Sequence, residues 1–469
     1  VLKESPVFKT LEKNVKPGRT VCASGLSTIN KSNIIYALCR LKGVTAFCLA
    51  SDEKEAQTLC NDLSCMGLRA YVYPVRDFNF LDFQSRSHEY EHARLKVLLK
   101  LLNHECDVAI ACVDAAAQLT VPRNVLEQSV IEFEEGKELS LEKATKALTL
   151  LGYERFDAVE GSGQFSLRGG ILDFFMPDSD YPVRCEFWGD EITDLSYFDI
   201  ETQRRFKKAD KITLSPSTEI VIEDRAALAD KIEHKAKLLR SKNSAKAKEK
   251  LFSEAELIRS GAMIANADKF INQIYDKPES LFDYLDRNTL VFASEFTAIQ
   301  ERGKSMDFIS NETLMQGFED GTLCRGFDRF ALTFNECTEF LQSHGTIVLE
   351  NFVHGSMPIK LSEIISFSTK QISAWGGSYK QLKEDVDGLF TPESKGVIFA
   401  GTERAAKNLC DTFNADGINA VYSEGADKIS KGELLVMQGA LSAGFEYPSQ
   451  KFFAITYSQV SYRPETVSY

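Results

Sequence analysis

The chain has 469 residues, 43% hydrophobic and 26% charged, with a formal net charge of −13. That composition is globular and long enough for roughly two to four domains, and no apolar run reaches membrane-spanning length. The acidic balance argues against a dedicated nucleic-acid binder, which carries a basic face, and leaves room only for a local basic patch.

The first segment alternates strands and helices. Thr20–Ala23 reads as a strand, followed by a polar loop and a helix over Ser32–Leu41. Strand Val44–Ala50, helix Glu53–Met66, strand Ala70–Tyr73, helix Tyr90–Leu102 and strand Asp107–Val113 follow. This alternation predicts a parallel sheet with helices on its faces. Ser140 caps a predicted helix carrying Leu141, Ala144, Leu148 and Leu151 on one face, and Gly152 suits its end.

A meander is predicted next, with strands Gln164–Phe175, Pro182–Trp188 and Ile192–Asp199 separated by turn residues. Residues two apart share a strand face. Val183, Cys185 and Phe187 form one apolar face, and Arg184, Glu186 and Trp188 the other; Phe165 and Leu167 oppose Gln164, Ser166 and Arg168. Gly169-Gly170 suits a bulge or a close backbone approach. Hairpin pairing would cluster Arg168, Arg184 and Trp188 on the solvent side. Arginine and tryptophan are enriched at binding hot spots, while the plain alternative is a half-buried sheet with solvated charges outside. Spacing alone does not choose.

Residues 224–274 read as mostly helical. They contain a basic run of Lys231, Lys235, Lys237, Arg240, Lys242, Lys246, Lys248 and Lys250. Such a run is usually a solvated face, and a weak DNA contact is the minority reading. Strands are predicted at Leu290–Ala293, Ile347–Leu349 and Ile364–Phe367. A final α/β segment follows: strand Gly396–Ala400, helix Glu403–Phe413, and strands Asn419–Tyr422, Gly432–Met437 and Lys451–Thr456. The eleven cysteines are odd in number, scattered and often inside apolar runs, with no CxxC pair, so buried free thiols in a reducing cytosol are expected, and no metal site. The opening VLKESPVFKTLEKN has no signal-peptide pattern.

Gly25-Leu26-Ser27-Thr28-Ile29-Asn30-Lys31-Ser32 has the frame of a phosphate loop, G-x-x-x-x-G-K-[ST]. Gly25, Lys31 and Ser32 match, but Asn30 stands where the second glycine belongs. In an active loop, successive N–H groups wrap phosphates while the Lys and Ser/Thr serve the terminal phosphate and Mg²⁺. The strand that should end in Asp-Glu ends in Ser294-Glu295, and serine does not replace the metal-holding carboxylate. Two defects in one site predict no nucleotide hydrolysis and no catalytic residue. An ordinary strand-to-helix turn is the competing reading.

The stretch LGYERFDAVEGSGQFSLRGGILDFFMPDSDYPVRCEFWGDEITDLSYFDIETQRR resembles the UvrA-binding domain shared by UvrB and the bacterial transcription-repair coupling factors (Mfd). The degenerate loop, the Ser294 defect and YPVRDFNFLDFQSRSHEYEHARLKVL favour the coupling-factor side, specifically its amino-terminal region. The resemblance implies a degenerate helicase-like parallel sheet in two parts (1–125 and 210–360). An inserted α+β domain (126–209), a small α/β domain (361–457) and a tail (458–469) complete the expected order. It implies UvrA as partner, met by Arg168, Arg184 and Trp188, the last a phenylalanine in many relatives. It implies cytoplasmic location and no cofactor in this part, with ATP, Mg²⁺, RNA polymerase and DNA engaged by other domains of an ATP-driven translocase. It further implies that a carboxy-terminal domain can mask the UvrA surface, so that the surface is open here. The alternative is an ATP-dependent UvrB-type helicase and excision-nuclease subunit.

Overall fold

The computed structural model describes residues 1–78, 88–128, 131–240, 245–261, 267–353, 357–372, 378–425 and 429–457. Lys242, the segment 79–87 and the tail expected over 458–469 lie outside the described residues.

A seven-stranded, all-parallel sheet organises the chain. Its spatial order is Glu363–Ser366, Val21–Ser24, Thr346–Leu349, Leu290–Ser294, Ala46–Leu49, Val108–Ala111, Ala70–Tyr73. The central strands are buried at every position, as parallel strands covered on both faces must be. Helices Pro6–Asn14, Thr28–Lys42 and Glu53–Cys65 pack on one face through Phe8, Leu11, Ile34, Leu38, Leu59 and Leu63. Helices Glu89–Leu102, Phe296–Asp320 and Phe334–His344 cover the other through Leu95, Leu98, Phe296, Ile299, Cys337 and Leu341. The sheet takes in Glu363–Ser366, past residue 360, where the second helicase-like part was expected to end.

Between strands Val108–Ala111 and Leu290–Ser294 the chain leaves this sheet. Helix Leu141–Leu150, capped by Ser140, packs on a six-stranded sheet in the order Arg205–Lys208, Glu191–Phe198, Val183–Trp188, Ile171–Phe174, Gln164–Arg168, Glu154–Arg155. Phe165, Leu172, Phe174, Val183, Cys185, Phe187, Ile192 and Leu195 form its core. The first meander strand is therefore two: Gly169, at φ +62°, and Gly170 turn the chain into a hairpin. A side chain at Gly170 would stand 2.7 Å from the Phe187 carbonyl oxygen, so the turn needs glycine there to lie flat on the neighbouring strand. Strand Ile131–Glu134 pairs with Lys211–Leu214, so this unit closes beyond residue 209.

Helices Arg225–Leu238 and Ala245–Arg259 pair as a hairpin around Leu228, Ile232, Leu251, Ala255, Phe270 and Phe327. The last unit is a six-stranded sheet holding Lys395–Phe399 between Glu433–Met437 and Phe452–Thr456, all parallel. Two of its strands, Lys370–Ile372 and Gly444–Tyr447, have no counterpart in the sequence reading; each carries only a short apolar stretch.

Candidate functional site

Two places carry the residues singled out by sequence. The first is the frame of the phosphate loop. Helix formation begins at Thr28, not Ser32, so only Gly25-Leu26-Ser27 remain as a turn. Asn30, Lys31 and Ser32 lie inside the first turns of the helix, all buried. The N–H groups of Gly25 and Leu26 donate to the carbonyls of Asn351 and Glu350, at 3.1 Å each. Both N–H groups, which a phosphate would need, are thus spent on the protein itself.

Lys31 is spent as well. Its Nζ donates to Glu295 Oε1 at 2.6 Å, Ser294 Oγ at 2.9 Å and Glu55 Oε1 at 3.2 Å. Ser294 Oγ in turn donates to Glu55 Oε1 at 2.6 Å. Burial pushes the Glu55 carboxyl up, but Lys31, Ser294 and Ser51 outweigh it and its pKa is lowered. Burial, with Glu295 alongside, pushes Glu350 up to about 7. Glu295 adopts φ +53°, and its carboxylate also accepts the Asn351 N–H at 2.9 Å. The two defective motifs thus meet in one self-satisfied ion cluster. Above it, Ile29 packs into the small domain beside Val397, Phe399 and Met437, and Asn30 and Asn33 donate to Tyr447 Oη at 3.5 and 3.3 Å. Asp62 accepts from Ser442 N and Oγ at 2.7 and 2.6 Å. The small domain sits over the turn where a nucleotide would enter.

The second place is the outer face of the six-stranded sheet. Asp173 is paired in register with Arg184 on one side and Ser166 on the other, and Arg168 follows two residues after Ser166 on the same face. Asp173 is 1% exposed. Arg184 grips it through Nε to Oδ1 and Nη2 to Oδ2, both 2.8 Å, and Arg168 Nη2 donates to Oδ2 at 3.1 Å. The hydrogen bond to Asp173 raises the Arg184 pKa further. Arg184 also stacks over the Phe198 ring at 4.3 Å and donates to the Gln203 carbonyl and Oε1. Trp188 ends its strand on the same face, 82% exposed, opposite Glu191. Arg205 joins Glu186 and Asp194 at the edge of this face. Asp173 and Gln203 were not named from the sequence. The signal available was the placement of Asp173 five residues after Arg168, across a Gly-Gly turn.

Two lysines of the basic run make contacts within the fold. Lys231 pairs with Asp276 at 3.1 Å, and Lys235 reaches the Gly326 carbonyl and the Phe327 ring. Arg259 gathers Asp230, Glu233 and Glu256. Among the described residues no group of three His, Cys, Asp or Glu is placed to hold a metal, and no helix is long and apolar enough to cross a membrane.

The UvrB interaction domain family matches residues 131–220, the unit that carries Arg168, Asp173, Arg184 and Trp188. The transcription-repair-coupling factor of Bacillus subtilis (strain 168) is 26% identical over 97% of this chain. That of Staphylococcus epidermidis (strain ATCC 12228 / FDA PCI 1200) is 25% identical over 82% of it, and that of Staphylococcus aureus (strain NCTC 8325 / PS 47) 22% over 82%. The chain spans 39% of the length of the first of these and 33% of the other two. A helicase-like parallel sheet with a UvrB interaction domain inserted in it, similar over nearly its whole length to the amino-terminal part of these proteins, makes this chain a relative of the transcription-repair-coupling factors.

Proposed function

We propose that this chain is a recruitment module that binds UvrA through the outer face of the inserted sheet and so helps bring excision repair to a stalled RNA polymerase in the cytoplasm. The observation that carries the reading is Trp188, 82% exposed on the same sheet face as Arg168 inside the unit matched by the UvrB interaction domain. Tryptophan and arginine are among the residue types most enriched at interface hot spots, and here both stand exposed on one face. RNA polymerase and DNA contacts belong, on this reading, to the portions of the relatives that this chain does not match.

The chain needs no cofactor for that role and hydrolyses no nucleotide. The support is the occupied state of its phosphate-loop frame: Lys31 neutralised by Glu55 and Glu295, and two turn N–H groups bonded to carbonyls. Calorimetry of UvrA with this chain tests the first claim. Trp188→Ala is expected to weaken binding by about 2 kcal/mol or more, the scale of an interface hot spot. Unchanged affinity in both Trp188→Ala and Arg168→Ala proteins would reject it. For the second, ATP with Mg²⁺ is expected to leave the melting temperature and the phosphate-release baseline unmoved.

A further inference from the structure

We infer that Asp173 is the positioning residue of this face: Arg184 acts through it as scaffold, and only Arg168 and Trp188 meet the partner. The inference rests on the proposed UvrA-binding reading and sharpens it.

A guanidinium has five N–H donors. Arg184 uses four of them: Nε and one Nη2 hydrogen on Asp173, the other Nη2 hydrogen on Gln203 Oε1 at 3.0 Å, and one Nη1 hydrogen on the Gln203 carbonyl at 3.2 Å. Its side chain is 13% exposed, with one face of the guanidinium on Phe198. A partner could recruit Arg184 only by dismantling that arrangement. Arg168 is built the other way. Its side chain is 53% exposed and a single Nη2 bond ties it to Asp173. Its remaining donors have no partner among the described residues.

Asp173 thus spends two oxygens on three N–H groups from two arginines. One buried carboxylate against two guanidiniums leaves one net positive charge, and the geometry delivers it at the exposed Arg168. The Gly169-Gly170 turn places that charge at the same end of the sheet as Trp188, because Phe187 N–H donates to the Gly170 carbonyl at 2.8 Å. A carboxylate beside an apolar hollow is the partner chemistry this pair fits: the carboxylate for the planar fork of Arg168, the hollow for the indole.

A double-mutant cycle separates scaffold from contact. The affinity of UvrA for the chain is measured with Arg168→Ala, Arg184→Ala, both together, and Trp188→Ala. Each arginine variant is expected to weaken binding about tenfold, and the double variant no more than Arg168→Ala alone. Asp173→Asn should likewise weaken the wild type and have no effect in the Arg168→Ala background. A double variant about a hundredfold weaker, the sum of two independent contacts, overturns the inference. Gln203→Ala guards against a folding artefact, since it removes one acceptor of Arg184, the side-chain Oε1, from an exposed turn and leaves the backbone carbonyl in place. A loss of about threefold confined to the Arg168-containing protein supports the scaffold, and an equal loss in both backgrounds overturns it. Should Arg168→Ala and Trp188→Ala both bind as the wild type does, the recruitment reading itself fails, which is a different result.

Discussion

Glu350 shows how a crowded, buried acidic cluster is accommodated. The Lys31 ammonium pairs with the carboxylates of Glu55 and Glu295, and a third carboxylate, that of Glu350, lies beside Glu295. The low-dielectric interior does not tolerate two uncompensated negative charges, so the cluster keeps a proton, and burial beside Glu295 lifts Glu350 to about 7. A carboxyl with a raised folded pKa binds more protons folded than unfolded. Its contribution is therefore complete below the unfolded value and is lost as pH rises through the folded one. Stability should fall between about pH 4.5 and 7 on account of this group. Glu350→Gln, which fixes the neutral form, should flatten that slope and stabilise the protein at pH 8. Urea unfolding of both proteins at several pH values measures it, and parallel pH profiles would refute the assignment.

At the scale of single elements, the turn after strand Val21–Ser24 looks like a phosphate loop for a reason unrelated to phosphate. Gly25 has φ +80°, and a Cβ there would stand 2.3 Å from the Phe367 carbonyl oxygen. Glycine is required because strand Glu363–Ser366 and its continuation pass against the turn, with Thr369 Oγ1 donating to the Gly25 carbonyl at 2.9 Å. Gly25→Ala should therefore cost about 2 kcal/mol or more, through strain and displaced backbone, without any nucleotide present. A thermal melt checks this, and an unchanged midpoint would contradict it. The helix that follows begins early because Ile29 and Asn30 bury against the small domain rather than circling a ligand. The basic run reads as a solvated charged face and its described members stay largely exposed: Lys231 pairs at the surface with Asp276, Lys237 and Lys246 are exposed, and Lys235 reaches the Gly326 carbonyl and the Phe327 ring.

Across the whole molecule, the orientation of the inserted unit depends on a buried ion network. Glu219 lies just beyond strand Lys211–Leu214 and is fully buried. It accepts from Arg94 Nε at 2.6 Å and pairs with Arg76 Nε at 3.2 Å, while Arg76 Nη1 donates to Asp268 at 3.1 Å. Burial pulls the Arg76 pKa down, but Glu219, Asp268 and Glu91 outweigh it and keep the group charged. Arg94 stacks over Tyr73 at 4.2 Å, and Tyr275 Oη donates to the Glu219 carbonyl at 2.8 Å. Sheet, insert and helical hairpin therefore share one set of charges. Glu219→Gln leaves two buried guanidiniums short of a counter-charge and is expected to cost about 3–5 kcal/mol. The loss should appear as early hydrogen exchange at the insert boundary before the parallel sheet opens, and simultaneous opening of both would show that the network does not set their junction.

How much of this was legible in the sequence follows from which interactions are local. Strand–helix alternation is written in hydrophobic periodicity, so the parallel sheet and the small α/β unit could be read in order. The alternation of Val183, Cys185 and Phe187 with Arg184, Glu186 and Trp188 likewise set the buried and solvent faces of that strand, because side-chain direction has period two. The split of the first meander strand at Gly169-Gly170 was missed because a glycine pair suits a bulge and a hairpin turn equally until a neighbouring strand is placed. The defects at Asn30 and Ser294 were visible one at a time. Their meeting across 263 residues at Lys31 was not, nor was the pairing of two arginines on one buried Asp173. By itself the sequence determined the classes of element, their order and which faces are apolar, since those depend on neighbours along the chain. Only the tertiary structure decided which charges are spent and which are offered to a partner, since a guanidinium is free or occupied according to what the fold brings within about 3 Å of it.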